Sequence, residues 1–306
     1  MEHENQFDLF LPPVMAKKAE DLGVRKANTP FAKVFPLSVL AGAFISLGAI
    51  FCTIVLAGSA DMPYGMARLA AGLVFSLGLI LVVIGGAELF TGNNLIVMAW
   101  ASGRVKTSSM LRNWSFVYLG NFVGALITAL LMVTAKQYTF GGGAVGEMAL
   151  KMAVSKVNLD FPQAVALGIL CNALVCLAVW LTYSGRSVTD KILAIIFPVS
   201  AFVAAGFEHS IANMFFIPYA LFIKQFNPAF VASLGDKVHL EGLTWGAFFF
   251  KNLLPVTIGN IIGGALLVGA VYWLVYLADT KATRPSGVNQ VQPSDGHGKT
   301  TNQARS

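Results

Sequence analysis

Charge is what this sequence has least of. Asp, Glu, Lys and Arg make up 12% of its 306 residues, about half of what a soluble domain carries. Uncharged runs of about 20 residues recur instead. A soluble all-helical domain is thereby excluded, and an all-α integral membrane protein with several spans is indicated. Cysteine is also scarce. Cys52, Cys171 and Cys176 all lie in apolar runs, and none forms a C-x-x-C pair. That spacing argues against disulfides and zinc and for buried free thiols. No H-E-x-x-H or paired His/Cys motif is present, so neither a metal nor a cofactor is expected. The first thirty-odd residues are polar and contain several lysines, with no short apolar core before a small-residue cleavage site. The first apolar segment is therefore expected to act as an uncleaved insertion signal. The formal charge of +6 does not point to nucleic acid, because the basic residues flank apolar segments, as membrane topology requires.

Six apolar segments are present, at 37–57, 69–103, 114–135, 161–183, 192–223 and 252–278. An even number places both termini on one side. The N-terminal arm, the 104–112 and 184–191 loops and the C-terminal tail hold 14 of the 21 Lys and Arg residues. By the positive-inside rule both termini face the cytoplasm. The chain divides into a cytoplasmic amphipathic arm at 1–36, a six-span domain at 37–279 and a polar tail at 280–306. The tail lacks aromatic residues and is expected to be disordered.

Two segments are too long to cross a bilayer as straight helices. At 1.5 Å per residue, 69–103 would run about 52 Å and 192–223 about 48 Å, against a hydrocarbon core of about 30 Å. Each is interrupted by charge, Glu88 in one and Glu208–His209 in the other, followed by turn and cap residues in AELFTGNN and EHSIAN. Helices 2 and 5 are therefore expected to break near mid-membrane. The charge bias makes them run in opposite directions, and GNFVGAL (120–126) is echoed by GNIIGGAL (259–266). Both features indicate an inverted 3+3 repeat. Backbone freed in a membrane survives only under protein or a water-filled cavity. Half-helix N-termini meeting there would favour an anion or polar solute.

Among four histidines only His209 lies in a span. Such a group usually marks a pathway, and the plainer reading is a histidine hydrogen-bonded between helices. Glu208 and His209 diverge by about 100° on a helix, so one can face a pore while the other faces the bundle. Glu88 and Glu208 are read as acceptors for backbone N–H groups freed at the breaks.

At AELFTGN (87–93), YSGRS (183–187), GFEHSIANM (206–214), PVTIGNIIGG (255–264) and the N-terminal FDLFLPPVMAKKAEDLGV, the chain resembles the formate/nitrite transporter family, most closely its formate-channel branch. The resemblance runs to about residue 280. It implies an aquaporin-like protomer with helices 2 and 5 broken, assembled in a bacterial inner membrane as a homopentamer with one pore per protomer. It further implies a pathway for formate or a similar small monovalent anion, not an enzyme. Carried over by motif, the central pathway residues would be Thr91, His209 and Asn260, with Lys156 at the external mouth. Leu79, Leu89 and Val175 would narrow the cytoplasmic side, and Phe75, Phe90 and Phe202 the periplasmic side.

Without the family, Thr91 reads equally as an N-cap, Asn260 as a bond between helices, Lys156 as a loop lysine, and the apolar six as core- or lipid-facing. His209 would either protonate the anion or only hydrogen-bond it. Nitrite and hydrosulfide remain alternative substrates, and proton-coupled symport an alternative mode. Neither break carries the Asn-Pro-Ala of water-channel half-helices. One His beside one Glu lacks the nucleophile–base geometry of an intramembrane enzyme.

Overall fold

A computed structural model describes residues 9–278 and is all-helical. The tail expected from 280 onward lies outside the described residues, as do the first eight residues of the arm. Helix α1 spans Pro12–Asn28, opening with proline and ending in Arg25 and Lys26, and it buries Met15, Ala16, Ala19, Gly23 and Ala27. That spacing forms one apolar face. Next come α2 Phe31–Leu56, α3 Tyr64–Gly85, α4 Phe90–Asn93, α5 Ile96–Ala101 and α6 Thr107–Thr134. The second half comprises α7 Ala144–Val157, α8 Phe161–Ser184, α9 Val188–Ala204, α10 Ser210–Phe226, α11 Pro228–Ser233 and a closing helix, α12, over Ala247–Tyr276. Among the described residues five helices are long and apolar enough to cross a membrane: α2, α3, α6, α8 and α12.

The fourth apolar segment coincides with α8 to within one residue, whereas the third and fifth extend into polar residues that hydropathy misses. Helix α6, for example, starts seven residues before the expected Trp114 and takes in Arg112 and Asn113. Helix α7, an amphipathic helix that carries Lys156 in its last turn, was not among the expected segments.

Both long segments are interrupted. Helix α3 ends at Gly86, φ +73°, and the helical path resumes at Phe90. Helix α9 ends before Gly206, φ +74°, and resumes at Ser210. Both glycines hold the left-handed conformation that closes a helix C-terminus. The chain's Asn-Pro-Ala, at Asn227 to Ala229, opens α11 and lies at neither interruption.

Polar side chains are buried within an apolar core while large apolar side chains face outward, the reverse of a soluble surface. Ser38, Ser46, Ser76, Asn121, Asn172 and Asn260 are fully buried, while Leu40, Leu47, Phe51, Leu119, Leu267 and Leu274 are exposed. This inversion suits a lipid solvent, where helices associate through close packing and internal hydrogen bonds. The echoed glycine motifs serve that packing. A Cβ on Gly124 would sit 2.0 Å from the Val39 carbonyl oxygen, and one on Gly263 would sit 2.1 Å from that of Ile169. Gly124 thus lets α6 meet α2, and Gly263 lets α12 meet α8.

Candidate functional site

The two interruptions are held by the same set of bonds. At the first, the Glu88 N–H donates to Leu37 O (3.2 Å), and the Phe90 N–H to Asn121 Oδ1 (2.9 Å). Asn121 Nδ2 donates back to Ser38 O (2.7 Å) and Glu88 O (2.9 Å). At the second, the Glu208 N–H donates to Leu167 O (3.3 Å), and the Ser210 N–H to Asn260 Oδ1 (2.9 Å). Asn260 Nδ2 donates to Gly168 O (2.8 Å) and Glu208 O (3.0 Å). Each amide thus satisfies two backbone groups that its break would orphan and ties them to a carbonyl of the neighbouring helix, Ser38 O in α2 or Gly168 O in α8.

The glutamates do not accept the freed backbone N–H groups, which corrects the expectation from sequence. Glu88 Oε2 accepts from Lys26 Nζ (2.8 Å) and Asn93 Nδ2 (2.7 Å). Glu208 accepts from Lys156 Nζ at 2.7 Å, Asn213 Nδ2 at 2.7 Å and Asn252 Nδ2 at 3.2 Å. Asn113 and Asn252 complete the sets, each donating to the backbone carbonyl of the paired lysine, Lys26 and Lys156. A carboxylate in this setting is tolerated because an ammonium and amide N–H groups surround it. The sets differ in that Asn252 also donates to Glu208 while Asn113 does not reach Glu88, and in the amide oxygen beside each lysine. Lys26 Nζ also donates to Asn93 Oδ1 (2.9 Å), whereas Asn213 Oδ1 is buried without a partner among the described residues.

Between the two interruptions lie Thr91 and His209, with Oγ1 and Nε2 3.0 Å apart. His209 occupies the N-cap of α10, and its Nδ1 accepts from the Ala212 N–H (3.1 Å). That bond leaves the ring proton on Nε2, so Nε2 donates to Thr91. The Thr91 hydroxyl then keeps its own proton for another acceptor. Thr91 is not the cap of α4, and neither Ser210 nor Asn213 caps α10. Asn172, which sequence reasoning missed, ties the halves together by donating to Asn94 Oδ1 (2.7 Å) and Asn260 O (2.6 Å). Its only sequence signal is a lone amide in the apolar run ILCNALVC.

A cavity lies on each side of this pair. One, of 150 Å³, is lined by Arg68, Phe75, Lys156, Phe202, Glu208 and His209. The other, of 320 Å³, is lined by Lys26, Leu79, Glu88, Leu89, Asn93 and Tyr183, with Arg25 at its rim. Phe75 meets Phe202 edge to face, centroids 5.7 Å apart, and Phe202 lies nearly parallel to the His209 ring at 6.0 Å.

Three residues carried over by resemblance fall elsewhere. The Phe90 ring packs edge-on against Trp114 and Tyr118 and lines a separate aromatic groove between α6 and α12. Val175 is buried in the core and lines neither cavity. Asn260 is fully buried with both N–H groups donated to backbone carbonyls, so it has none for a ligand. Lys156 is not a free mouth residue, being paired with Glu208 and lying 5.4 Å over the Phe216 ring. Among the described residues no group of three His, Cys, Asp or Glu could hold a metal ion, and all three cysteines are free thiols.

The formate/nitrite transporter family model matches residues 13–274. The chain is 50% identical to the formate channel FocA of Escherichia coli K12, covering 91% of this chain and 99% of that protein. It is 45% identical to the formate channel FocA of Haemophilus influenzae, over 88% and 96% of the two chains. Among solved structures it resembles a pentameric formate channel with formate bound, with a TM-score of 0.76 and 47% identity, covering 81% of this chain and 98% of that one. A second structure, an FNT family ion channel, aligns with a TM-score of 0.70 and 30% identity, over 86% and 98%.

Proposed function

The chain belongs to the formate/nitrite transporter family, and on that premise we propose that it is a formate channel whose path runs from one cavity to the other past Thr91 and His209. The observation that carries this reading is the Thr91–His209 hydrogen bond, buried between two cavities that each hold a lysine–glutamate pair. Its relatives that are formate channels point to formate as the substrate.

Six crossings in an inverted 3+3 arrangement, the second and fifth broken, account for the duplicated bonds at Glu88 and Glu208. The closing motif of each half supplies the repairing asparagine. The neighbour titled pentameric supports a homopentamer in the bacterial inner membrane. The concentration of basic residues on α1 and the loops beside it supports cytoplasmic termini, which makes the Lys26 cavity the inner one.

The chemistry follows from the site. Phe75 and Phe202 on one side and Leu79 and Leu89 on the other exclude bulk water, and an ion without a matching hydrogen-bond donor is not compensated there. At the centre the Thr91 hydroxyl proton, left free by the bond from His209 Nε2, is the donor that faces an anion, and the His209 Nε2–H becomes a second one when the anion takes the place of the Thr91 oxygen. Proton transfer from His209 would require a second proton on Nδ1, which would break the cap bond from Ala212. The geometry therefore favours hydrogen bonding of the anion by His209 over its protonation. Phe90, Val175 and Asn260 act in this reading as supports of the break and core.

Proteoliposome uptake of labelled formate, with nitrite and hydrosulfide as competitors, tests the assignment. Failure of formate to pass, or stronger passage of either competitor, would overturn it. A reversal potential that follows the proton gradient would move the reading to symport.

A further inference from the structure

We propose that Arg68 supplies the uncompensated positive charge of the outer cavity and holds in place the backbone that carries Glu208 and His209. The inference extends the reading of that cavity as part of the anion path and rests on it.

Lys156 is the obvious cation of this cavity, yet Glu208 lies 2.7 Å from it and cancels its charge. Arg68 also lines the cavity and has no carboxylate within ion-pairing distance among the described residues. An anion approaching from this side therefore meets one net positive charge, and the guanidinium carries it. Apolar walls with little dielectric screening strengthen such a charge and raise the local anion concentration.

The fork of Arg68 is held by the end of α9. Its Nε donates to Ala204 O at 3.2 Å, and its Nη2 donates to Val203 O. The N–H groups of Ala205, Gly206 and Phe207 close onto Ala201 O, Val203 O and Phe202 O. That leaves Ala204 O to Arg68. A cation at this helix end also complements the macrodipole. The peptide so held turns at Gly206 and reaches Glu208 and His209 within three residues. Arg68 therefore acts on His209 as a positioning residue, and on the anion as a fixed charge.

Only a fork can do both. Lysine keeps the charge but presents one ammonium to two carbonyls. Glutamine keeps a donor of similar reach and loses the charge. The test is formate uptake into proteoliposomes at about 10 mM and about 0.5 M ionic strength, with heat stability of each purified protein. Arg68→Gln is expected to lower low-salt uptake roughly three- to tenfold. The gap should narrow to under about twofold at high salt, because the Debye length falls from about 30 Å to below about 10 Å. Arg68→Lys is expected to keep the low-salt uptake and its salt dependence while melting at lower temperature. Unchanged low-salt uptake by Arg68→Gln, beside active unaltered protein, overturns the charge role alone. Unchanged melting of both variants overturns the positioning role. No formate uptake by the unaltered protein overturns the channel reading and this proposal with it.

Discussion

Replacing Asn260 by leucine separates two roles that its position allows. As a pathway residue it would hydrogen-bond the anion, and its loss would change flux and selectivity while leaving the fold intact. As the repair of the second interruption it holds three backbone groups: Ser210 N–H at 2.9 Å, Gly168 O at 2.8 Å and Glu208 O at 3.0 Å. Gly168 O keeps its partner within α8, and leaving a buried polar group unsatisfied costs about 1–3 kcal/mol, so the other two together cost at least about 2 kcal/mol. At roughly 2–4 °C per kcal/mol for a chain of this size, melting should fall by at least about 4 °C. The same substitution at Asn121 removes the matching three bonds and should cost about as much. The assay is heat-induced loss of the folded protein in detergent, measured for both variants beside the unaltered protein. If Asn260→Leu melts like the unaltered protein while passing a different set of anions, the amide faces the path and the reasoning is refuted.

Three further outcomes follow from the same geometry. His209→Asn preserves an N-cap oxygen but cannot reach Thr91. It should melt within about 1 kcal/mol of the unaltered protein yet lose most formate flux, whereas His209→Phe loses both; wild-type pH-dependent flux in His209→Phe would discard the histidine's role. Lys156→Met alone strands a buried carboxylate at about 3–5 kcal/mol, and adding Glu208→Gln should recover a large part of that; additive losses in the double variant would show the pair is uncoupled. At the surface, burial acts to raise the Glu20 carboxyl, but hydrogen bonds from Lys17, Ser102 and Arg104 outweigh it and hold the group below its ordinary value. A depressed carboxylate stabilises above its unfolded value and loses that contribution as pH falls through the folded one. Docking of α1 should therefore hold through neutral pH and weaken only below about 4.5, as read by hydrogen exchange of α1; release centred near pH 6.5 would count against the Glu20 anchor.

Segment length and isolated charge made the two interruptions legible before any coordinates, because a bilayer fixes how much helix fits. The glutamates' partners were not legible. Lys26 lies 62 residues from Glu88 and Lys156 lies 52 from Glu208, and nothing local marks either pairing. The asparagine of the echoed glycine motifs was visible, yet it reads equally as a pore residue or as a repair until its three bonds are seen. Phe90 could have been placed by the argument applied to Glu208 and His209. Leu89 and Phe90 are neighbours at the start of a helix and diverge by about 100°. With Leu89 on the cavity wall, Phe90 must turn away, and it does so toward Trp114 and Tyr118.

The two cavities share one charge arithmetic, and on the path proposed above it would attract an anion without trapping it. In each, a lysine and a glutamate cancel at 2.7–2.8 Å, and one arginine remains, Arg25 in the cavity of Lys26 and Arg68 in that of Lys156. Two free lysines facing the centre would hold an anion strongly in a low-dielectric interior, since unit charges a few ångströms apart interact far more strongly there than in water. Pairing them removes that well. A single peripheral guanidinium then draws the ion in from either side. On the path proposed above, beyond the apolar residues the ion would meet the Thr91 hydroxyl and, on taking the place of the Thr91 oxygen, the His209 N–H. Attraction at both rims and weak, directional donors at the centre leave no deep minimum along the path, which is the condition for passage in either direction.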